Sequence, residues 1–230
     1  MALTDNLISY WKLDGNSNDS MGLYNGTDTA ITYSAVNGKI IQGAGFDGST
    51  SKVVFGNPII PIGAKTISFW VKSSINADQT LVSNARLGAA YDFDHTRIWA
   101  DSGYLSYEIQ YNSGGTTYIQ LLGTSNIRDG TWKFCVCTYD GSVMRVYVNG
   151  TLENTSATFT DSGTRLDNLQ FGIDPVNAYN KLIGAMDEVG VWSRALTQAE
   201  ITKLYNNGDG LSYPFEVGVS PSNLLLMGVG

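Results

Sequence analysis

The fold of this chain is decided by one stretch near its C-terminus, Gly184-Ala185-Met186-Asp187-Glu188-Val189-Gly190-Val191-Trp192. Successive side chains of a strand point to opposite faces. We interpret the stretch as such a strand, with the even-numbered residues from Met186 to Trp192 on one face and the odd-numbered residues from Asp187 to Val191 on the other. The pattern therefore predicts a long strand late in the chain.

A short helix is predicted directly after this strand. Thr197 is followed three residues later by Glu200, which forms a capping box in which each side chain binds a backbone N–H of the first turn. Leu196 and Ile201 hold the two positions of a hydrophobic staple, and Gly208 is a natural helix stop. We expect one well-capped helix over this segment.

The rest of the chain reads as short strands joined by turns, at intervals of about ten residues. Thr66–Lys72 is interpreted as a strand with Ile67, Phe69 and Val71 on one face, and the segment 131–154 contains the hairpin signals Asp140-Gly141 and Asn149-Gly150. This pattern is typical of an antiparallel sandwich and not of alternating strand–helix units. We predict an all-β fold made of two antiparallel sheets.

The domain boundaries follow from length and pattern. A sandwich in a chain of 230 residues is usually one domain, so we predict a single domain over residues 1–213. The tail over residues 214–230 carries an apolar run, Leu224–Met227, with no amphipathic pattern. We expect the tail to pack on the domain or on a partner, because an unanchored tail frays.

Four stretches, in the right order, resemble motifs of one known family. They are Tyr10-Trp11-Lys12-Leu13-Asp14-Gly15, Gly43-Ala44-Gly45-Phe46-Asp47-Gly48, the segment 131–150, and the closing strand with its helix. The family is the laminin-G-like, pentraxin-like branch of the concanavalin A-like lectin/glucanase jelly rolls. The resemblance implies a jelly-roll sandwich with one short helix near the C-terminus, in which the first and last strands are neighbours.

The charge balance is acidic, with 14 Lys and Arg against 21 Asp and Glu and a formal net charge of −7. Such a surface repels phosphate backbones, so we expect no nucleic-acid partner. No apolar run approaches the about 20 residues that span a bilayer. Met1–Asn6 shows no signal-peptide pattern. We therefore expect a protein of a particle surface such as a virion, used without ordinary secretion, or an extracellular protein that lacks its leader.

Two cysteines, Cys135 and Cys137, lie two residues apart on a predicted strand and therefore point to the same face. Their separation of roughly 6.5–7 Å is at the limit for a disulfide. A C-x-C pair also lacks the two further ligands that zinc would need. We expect two small apolar side chains packed beneath a sheet.

A calcium site is implied by the family resemblance where the first and last strands meet. Asp14 closes the opening strand and Asp187 lies on the closing one, so a cation between them would relieve the repulsion of the two carboxylates. Carbonyl groups around Asn25 and Gly43 are the further ligands that we consider. The alternative is that Asp14 and Asp187 only cap turns through backbone amides.

Catalysis is not expected. Glycosidic cleavage needs two carboxylates that face one groove, whereas Glu108 and Glu153 are isolated and Glu188 belongs to the closing strand. His95 is the only histidine, and its neighbours offer no nucleophile elbow for a Ser-His-Asp triad. We therefore predict that the protein is not an enzyme.

Aromatic rings beside polar loops are the candidates for ligand recognition. Sugar-binding modules use such rings as platforms, with Asn, Asp and Gln nearby for the sugar hydroxyls. The candidates are Tyr91, Trp99, Tyr111, Tyr118 and Tyr179, together with Asp92 and Asp94, which resemble a loop where some relatives bind calcium beside the ligand. The alternatives are rings that fill the sandwich and a solvated turn at the two aspartates.

These observations predict a non-enzymatic recognition module that binds a glycan or cell-surface polysaccharide and is displayed on a larger assembly. The alternative is a purely structural subunit of a phage or virion, attached to the particle shell through the C-terminal tail. A glycoside hydrolase of the same superfamily is the third possibility. We also expect a homo-oligomer and a structural Ca²⁺ ion.

Overall fold

The computed structural model describes residues 1–84, 96–110, 118–163, 167–174 and 180–216. The strands, in chain order, are β1 (Leu7–Trp11), β2 (Gly26–Thr29), β3 (Thr32–Ser34), β4 (Gly43–Asp47), β5 (Lys52–Phe55), β6 (Lys65–Lys72), β7 (Gln79–Ser83), β8 (Thr96–Asp101), β9 (Tyr104–Gln110), β10 (Tyr118–Asn126), β11 (Lys133–Tyr139), β12 (Met144–Val148), β13 (Thr151–Thr155), β14 (Gln170–Phe171) and β15 (Ile183–Trp192). The α-helix, α1, covers Gln198–Tyr205, and short 3-10 helices cover Ala35–Asn37 and Asn206–Gly208.

The strands form two antiparallel sheets. The first sheet has the order β13-β12-β11-β6-β15-β4-β3, with β1 pairing on β15. The second sheet has the order β10-β9-β8-β7-β14-β5-β2. In the described part of the chain, one short α-helix follows the last strand. The predicted all-β sandwich is confirmed.

The main core lies between the two sheets. On β6 the predicted alternation is confirmed, because Ile67, Phe69 and Val71 all belong to this core. Trp11 packs against Phe55 with ring centroids 4.6 Å apart. Burial of apolar surface contributes about 25 cal/mol per Å², so these inward-facing rows are the main source of stability.

The two cysteines lie in the same core. Cys135 and Cys137 are free and buried, and they pair across the sheet with Phe69 and Ile67. The prediction of two small side chains beneath a sheet is confirmed. Burial raises the pKa of both thiols, so both stay protonated and unreactive at neutral pH.

The first and last strands are neighbours, as the family resemblance implies. Tyr10 lies opposite Gly190, and Trp11 lies opposite Val189. A Cβ atom at Gly190 would come within 2.5 Å of the Trp192 ring and 3.0 Å of the Tyr10 ring. Glycine at this position therefore lets the two aromatic rings pack over β15.

A bulge at Glu188 breaks the regular alternation predicted for β15. Glu188 has φ +51°, in the left-handed region, and the register with β6 shifts between Asp187 and Gly190. Met186 and Val189 consequently both face the main core. The prediction that all even-numbered residues share one face is therefore wrong: an inserted residue changes the phase of a strand, and the sequence pattern does not show it.

The helix α1 covers the outer face of the first sheet. Its buried residues Ile201 and Leu204 pack in a second cluster with Trp70, Phe134 and Trp192. This second cluster anchors the strand-to-helix junction, because it joins the end of β15 to the middle of the first sheet.

The predicted capping box is confirmed. The Thr197 amide donates to Glu200 Oε2 at 2.8 Å, and the Glu200 amide donates to Thr197 Oγ1 at 3.3 Å. Arg194 adds two charge-assisted hydrogen bonds to the Glu200 carboxylate, each 2.8 Å long. Burial alone would raise the pKa of Glu200, but Arg194 and Thr197 outweigh it and lower this pKa to about 2.

The start of the predicted tail packs on the domain. Phe215 is buried, with its ring edge-on to Tyr10 at a centroid distance of 5.1 Å. Residues 217–230 lie outside the described residues, so the packing of the apolar run there stays a prediction. In the described part of the chain, no helix is both long and apolar enough to cross a membrane.

Candidate functional site

The outer face of the second sheet is polar and aromatic, and we call it the polar face. It arises from strand alternation, because β8 sends Ile98 and Ala100 into the core and the residues between them outwards. The register of β8, β9 and β10 then places the outward residues side by side. These residues are Arg97, Trp99, Asp101, Tyr104, Ser106, Glu108, Gln110, Tyr118, Gln120 and Leu122.

Arg97 organises the charges of the polar face. Its guanidinium nitrogens contact Glu108 Oε1 at 3.2 Å and Asp174 Oδ2 at 2.9 Å. The guanidinium carbon also lies 3.3 Å from the centroid of the Trp99 ring, within the range of a cation–π contact. One cation is thus shared by two carboxylates and an aromatic ring, and it holds Trp99 in one orientation.

Two buried donors on the polar face have no acceptor. The indole N–H of Trp99 and the Nε–H of Arg97 make no hydrogen bond within the residues that the structure describes. A buried donor without a partner costs about 1–3 kcal/mol. An oxygen atom supplied from outside the described residues would remove this cost.

The free edge of the polar face is formed by β10. Tyr118 and Leu122 are 53% and 39% exposed. Between them, Gln120 Nε2 donates to Asp101 Oδ2 at 2.9 Å and to Ser106 Oγ at 3.0 Å. These bonds fix the Gln120 amide and leave its carbonyl oxygen available as an acceptor.

The first and last strands bring three carboxylates together, Asp14, Asp187 and Glu188, which we call the carboxylate cluster. Asp14 Oδ1 accepts from the Gln42 amide at 2.9 Å, and Asp187 Oδ2 accepts from the amides of Lys39 and Ile40 at 2.8 and 2.9 Å. The segment 39–42 therefore binds both aspartates. Both aspartates thus accept hydrogen bonds from backbone amides, as in the alternative in which they only cap turns.

Glu188 differs from the two aspartates. It is 2% exposed, and neither carboxylate oxygen accepts a hydrogen bond in the described part of the chain. Burial raises the pKa of Glu188 to about 7, because the nearby hydroxyls of Tyr10 and Ser212 offset the burial only in part. Burial, with the charges of Glu188 and Asp14, likewise raises the pKa of Asp187 to about 8.

The fit of this cluster to a metal ion can be tested on the same geometry. Within the described residues, no group of three or more His, Cys, Asp or Glu side chains is arranged to hold a metal. The chemistry of the donors nevertheless fits Ca²⁺, which prefers carboxylate and carbonyl oxygens. The buried Glu188 oxygens without a partner are the atoms that such a cation would neutralise.

The sequence matches the family model described as the concanavalin A-like lectin/glucanases superfamily over residues 47–202, which is more than half of the chain. This chain belongs to that superfamily. The match includes the whole polar face from β8 to β10 and the closing strand, and it confirms the resemblance seen in the motifs. A search of the curated proteins finds no match.

Several solved structures with the same fold are binding domains. Domain 4 of AbnA, a GH43 extracellular arabinanase from Geobacillus stearothermophilus, in complex with arabinotriose, superposes with a TM-score of 0.63 at 22% identity and covers 86% of this chain and 97% of its own. The binding domain of botulinum neurotoxin DC in complex with rat synaptotagmin II gives 0.70 at 16% identity, with coverage of 89% and 52%. The binding domain of Paraclostridial Mosquitocidal Protein 1 gives 0.68 at 17%, also covering 89% and 52%.

These likenesses show the fold alone, since the identities are low. This concanavalin A-like chain spans about half the length of the two toxin domains and nearly the full length of the arabinanase domain. What the related domains bind is therefore a starting point for a proposal about this chain.

Of the predicted ligand-binding residues, Trp99 and Tyr118 lie on the polar face. Tyr91, Asp92, Asp94, Tyr111 and Tyr179, like His95, lie outside the described residues. Asn84 and Thr96, which flank residues 85–95, are joined by a hydrogen bond from the Asn84 amide to the Thr96 carbonyl. Gln110 and Tyr118, which flank residues 111–117, lie opposite each other on adjacent strands.

Of the predicted calcium ligands, the structure brings Asp14 and Asp187 to one segment and places Asn25 elsewhere. Asn25 Oδ1 accepts from the Asp19 amide, in the loop that follows β1. Gly43 lies in β4, where a Cβ atom would come within 2.1 Å of the Asn37 carbonyl oxygen. The residue that the sequence argument did not consider as a ligand is Glu188.

The residues of the polar face that sequence reasoning missed are Arg97, Asp174 and Gln120. The alternation of Thr96–Asp101 was a usable signal for Arg97, because every second residue there is polar or aromatic. Asp174 had no such signal. It reaches Arg97 across 77 positions of sequence, which only the sheet order brings together.

Proposed function

We propose that this protein is a non-catalytic recognition module that binds carbohydrate through the polar face. The observation that carries the proposal is a sheet face that presents the exposed ring of Tyr118, the half-buried ring of Trp99 and the fixed Gln120 amide among mostly polar side chains. Ligand sites commonly combine aromatic surface with a few oriented polar groups. The fold it shares with an arabinotriose-binding domain supports the same class of ligand.

Each part of the polar face has a role in this proposal. The rings of Tyr118 and Trp99 would pack against the apolar C–H faces of sugar rings. The Gln120 carbonyl oxygen would accept a hydrogen bond from a sugar hydroxyl. Arg97 acts as a positioning residue, because it holds the Trp99 ring while its own charge is balanced by Glu108 and Asp174.

The proposal includes no hydrolytic step. A glycoside hydrolase needs one carboxyl group that donates a proton and a second that acts as base or nucleophile. On the polar face, Glu108 and Asp174 are both ion-paired with the same guanidinium. Two carboxylates that share one cation are not arranged as an acid and a base on opposite sides of a ligand.

The binding proposal is tested with a glycan array followed by calorimetry on the best ligand. Trp99→Ala removes one of the two rings proposed as platforms, and we expect it to weaken binding by about tenfold. Trp132→Ala is the matched control, because Trp132 is a half-buried tryptophan directly before β11, on the other sheet. Equal effects of the two variants, or no glycan binding at all, would overturn the proposal.

A structural Ca²⁺ ion at the carboxylate cluster is part of the same proposal. Asp14, Asp187 and Glu188, which are not grouped to hold a metal in this structure, would have to draw together around the ion, and its positive charge would offset the three carboxylates. In that role the ion would link the first strand to the last and would take no part in ligand binding, which belongs to the polar face.

The structural role on a phage or virion stays a prediction from the sequence, as do the homo-oligomer and the particle-surface location. Most of the tail through which attachment to the particle was predicted, residues 217–230, lies outside the described part of the chain. A carbohydrate-binding domain displayed on a particle would satisfy both functions.

A further inference from the structure

We infer that a groove on the outer face of the first sheet binds a small organic ligand that carries one carboxylate group, and that Lys72 binds this group. The groove lies on the other sheet from the polar face and is independent of the proposed function. Three features point to this ligand: the shape of the groove, the surroundings of the Lys72 ammonium group, and the balance of charge along the walls.

The floor of the groove is a row of residues that crosses four strands. Thr32 on β3 lies opposite Gly45 on β4. Ala185 on β15 lies opposite both Gly45 and Lys72, which ends β6. The row belongs to the outer face, because Trp70, two residues before Lys72 on the same strand, packs in the second cluster. Neighbouring strands are about 4.8 Å apart, so the row is roughly 14 Å long, with its two smallest residues in the middle.

The depression over these small residues is large enough for a small ligand. Its volume is about 340 Å³, and an adjoining cavity of about 200 Å³ shares Lys72 and Gly184 with it. Ligand pockets commonly begin at about 300 Å³. Asn37 forms part of the wall, and a Cβ atom at Gly45 would come within 2.3 Å of its Nδ2 atom. Glycine at position 45 therefore leaves the space that this wall occupies.

The Lys72 ammonium group is held at the groove and has donors to spare. Its Nζ atom donates to the Val36 carbonyl oxygen at 3.1 Å and lies 5.1 Å from the centroid of the Trp132 ring. An ammonium group carries three donors, so the hydrogen bond to Val36 leaves two. Within the residues that the structure describes, no carboxylate forms a salt bridge with Lys72. The cation is thus fixed in position while its charge stays uncompensated.

Asp47 is the one carboxylate among the described residues that line the groove, and it is committed to its own turn. Its Oδ1 atom accepts from the backbone amides of residues 49–51 at 2.7 to 2.9 Å. Lys181 Nζ donates to the Ser49 carbonyl oxygen, so a second cation lies at the same turn. The negative charge of Asp47 is therefore balanced locally, and the positive charge of Lys72 is left for a ligand.

A ligand with a single carboxylate group fits these charges. Its carboxylate would accept a charge-assisted hydrogen bond from Lys72 Nζ. A polyanion would need more cations than the groove offers, and the net charge of −7 on the whole chain would repel it. Val36, which is 79% exposed and lines the groove, would pack against the carbon skeleton of the ligand.

The experiment titrates the intact, isotope-labelled chain with two carboxylates of different kinds, D-glucuronate and N-acetyl-L-alanine, and with the corresponding uncharged amides. Backbone chemical shifts report binding. We expect the acids to shift the amide signals of Gly45, Gly184 and Ala185 along saturable curves. The uncharged analogues should bind at least about tenfold more weakly, because hydrogen bonds between charged groups are the stronger ones. A response to only one acid would show whether the ligand is a sugar acid or an acyl amino acid.

Lys72→Gln and Lys39→Gln are matched variants. Each removes one lysine that lies over a tryptophan ring, at 5.1 Å from Trp132 and at 4.8 Å from Trp70, and the Lys39 side chain does not line the groove. We expect Lys72→Gln to weaken the binding of the acids by at least about tenfold and Lys39→Gln to leave it unchanged. Both variants change the net charge equally, so the pair isolates the local contact.

Val36→Asp tests the charge without removing the lysine. Because Val36 is exposed, the change should cost little stability, and the new carboxylate would compete with the ligand for Lys72. We expect a loss of affinity of at least about tenfold, with Val36→Asn as the uncharged control.

Equal binding of acids and amides, equal losses in Lys72→Gln and Lys39→Gln, or the absence of saturable binding would overturn the inference. Shifts confined to the polar face would overturn it as well. None of these results concerns glycan binding by Trp99 and Tyr118, so the groove and the proposed function fail independently.

Discussion

Two buried carboxylates near Tyr10, those of Asp19 and Glu188, have opposite surroundings. Asp19 accepts hydrogen bonds from the Ser9 hydroxyl and from the backbone amides of Tyr10, Met21, Leu23 and Tyr24, at 3.0 to 3.1 Å. Glu188 is at least as buried, and no described residue donates to it. The loop after β1 is therefore organised by its carboxylate, whereas the bulge in β15 leaves a carboxylate that requires a proton or a cation.

The largest expected effect is at Asp19. Asp19→Ala leaves several backbone donors without an acceptor, so we expect the free energy of unfolding to fall by about 3 kcal/mol or more. Urea denaturation measures the change. Asp209→Ala, at an exposed aspartate, is the control and should change stability by less than about 0.5 kcal/mol. Similar values for both variants would show that the loop does not depend on Asp19.

Calcium should affect the other carboxylate. If Ca²⁺ binds at the carboxylate cluster, a concentration about 100-fold above its Kd stabilises the folded state by about 2.7 kcal/mol. We expect the melting temperature to rise with CaCl₂ and to fall again with EDTA. The same titration on Glu188→Gln should give a much smaller rise, and an equal rise would place the ion elsewhere.

Without calcium, Glu188→Gln should stabilise the protein at alkaline pH. A carboxyl group whose folded pKa is raised to about 7 loses stability as the pH rises from its unfolded pKa near 4.3 to about 7, and the full penalty remains above that pH, because the unfolded chain ionises more easily. We expect the variant to be more stable by roughly 1–2 kcal/mol in EDTA above neutral pH. Glu216→Gln, at an exposed glutamate, is the control. A destabilised Glu188→Gln would show that Glu188 is paired in solution.

The smallest effect is expected at Glu200, a third carboxylate. Its pKa is shifted in the opposite direction to that of Glu188. Its folded pKa is lowered to about 2, below the usual value near 4.3, so its contribution is fully present above about pH 4.3 and is lost as the pH falls towards 2. We expect a loss of about 1 kcal/mol that Glu200→Gln does not show, because this variant cannot titrate. Acid unfolding curves of the two proteins measure the difference.

The carboxylates also show how far sequence reasoning reaches. The role of Glu200 was predicted, because a capping box is a contact between residues three positions apart. The burial of Glu188 was not predicted. It depends on a bulge that shifts the register against β6 and on packing near Tyr10 and Ser212. Neither the bulge nor these neighbours have a local signal in the sequence.

The polar face likewise combines features that were predicted from the sequence with features that were not. Trp99 and Tyr118 were predicted as candidates from their residue type and their neighbouring turns, and both lie on this face. The pairing of Arg97 with Glu108 and Asp174 depends on which strands are neighbours. That order follows from the free energy of the whole sandwich, and period-two patterning alone allows many orders.

By itself, the sequence determined the strands, their turns, the capped helix and the family, because alternation, hairpin dipeptides and caps are set by residues only a few positions apart. Only the tertiary structure decided which outward residues form one face, which carboxylate is left without a donor, and how β1 and β15 join. Those outcomes depend on register and burial, which arise from contacts between distant segments and are shared by the whole chain.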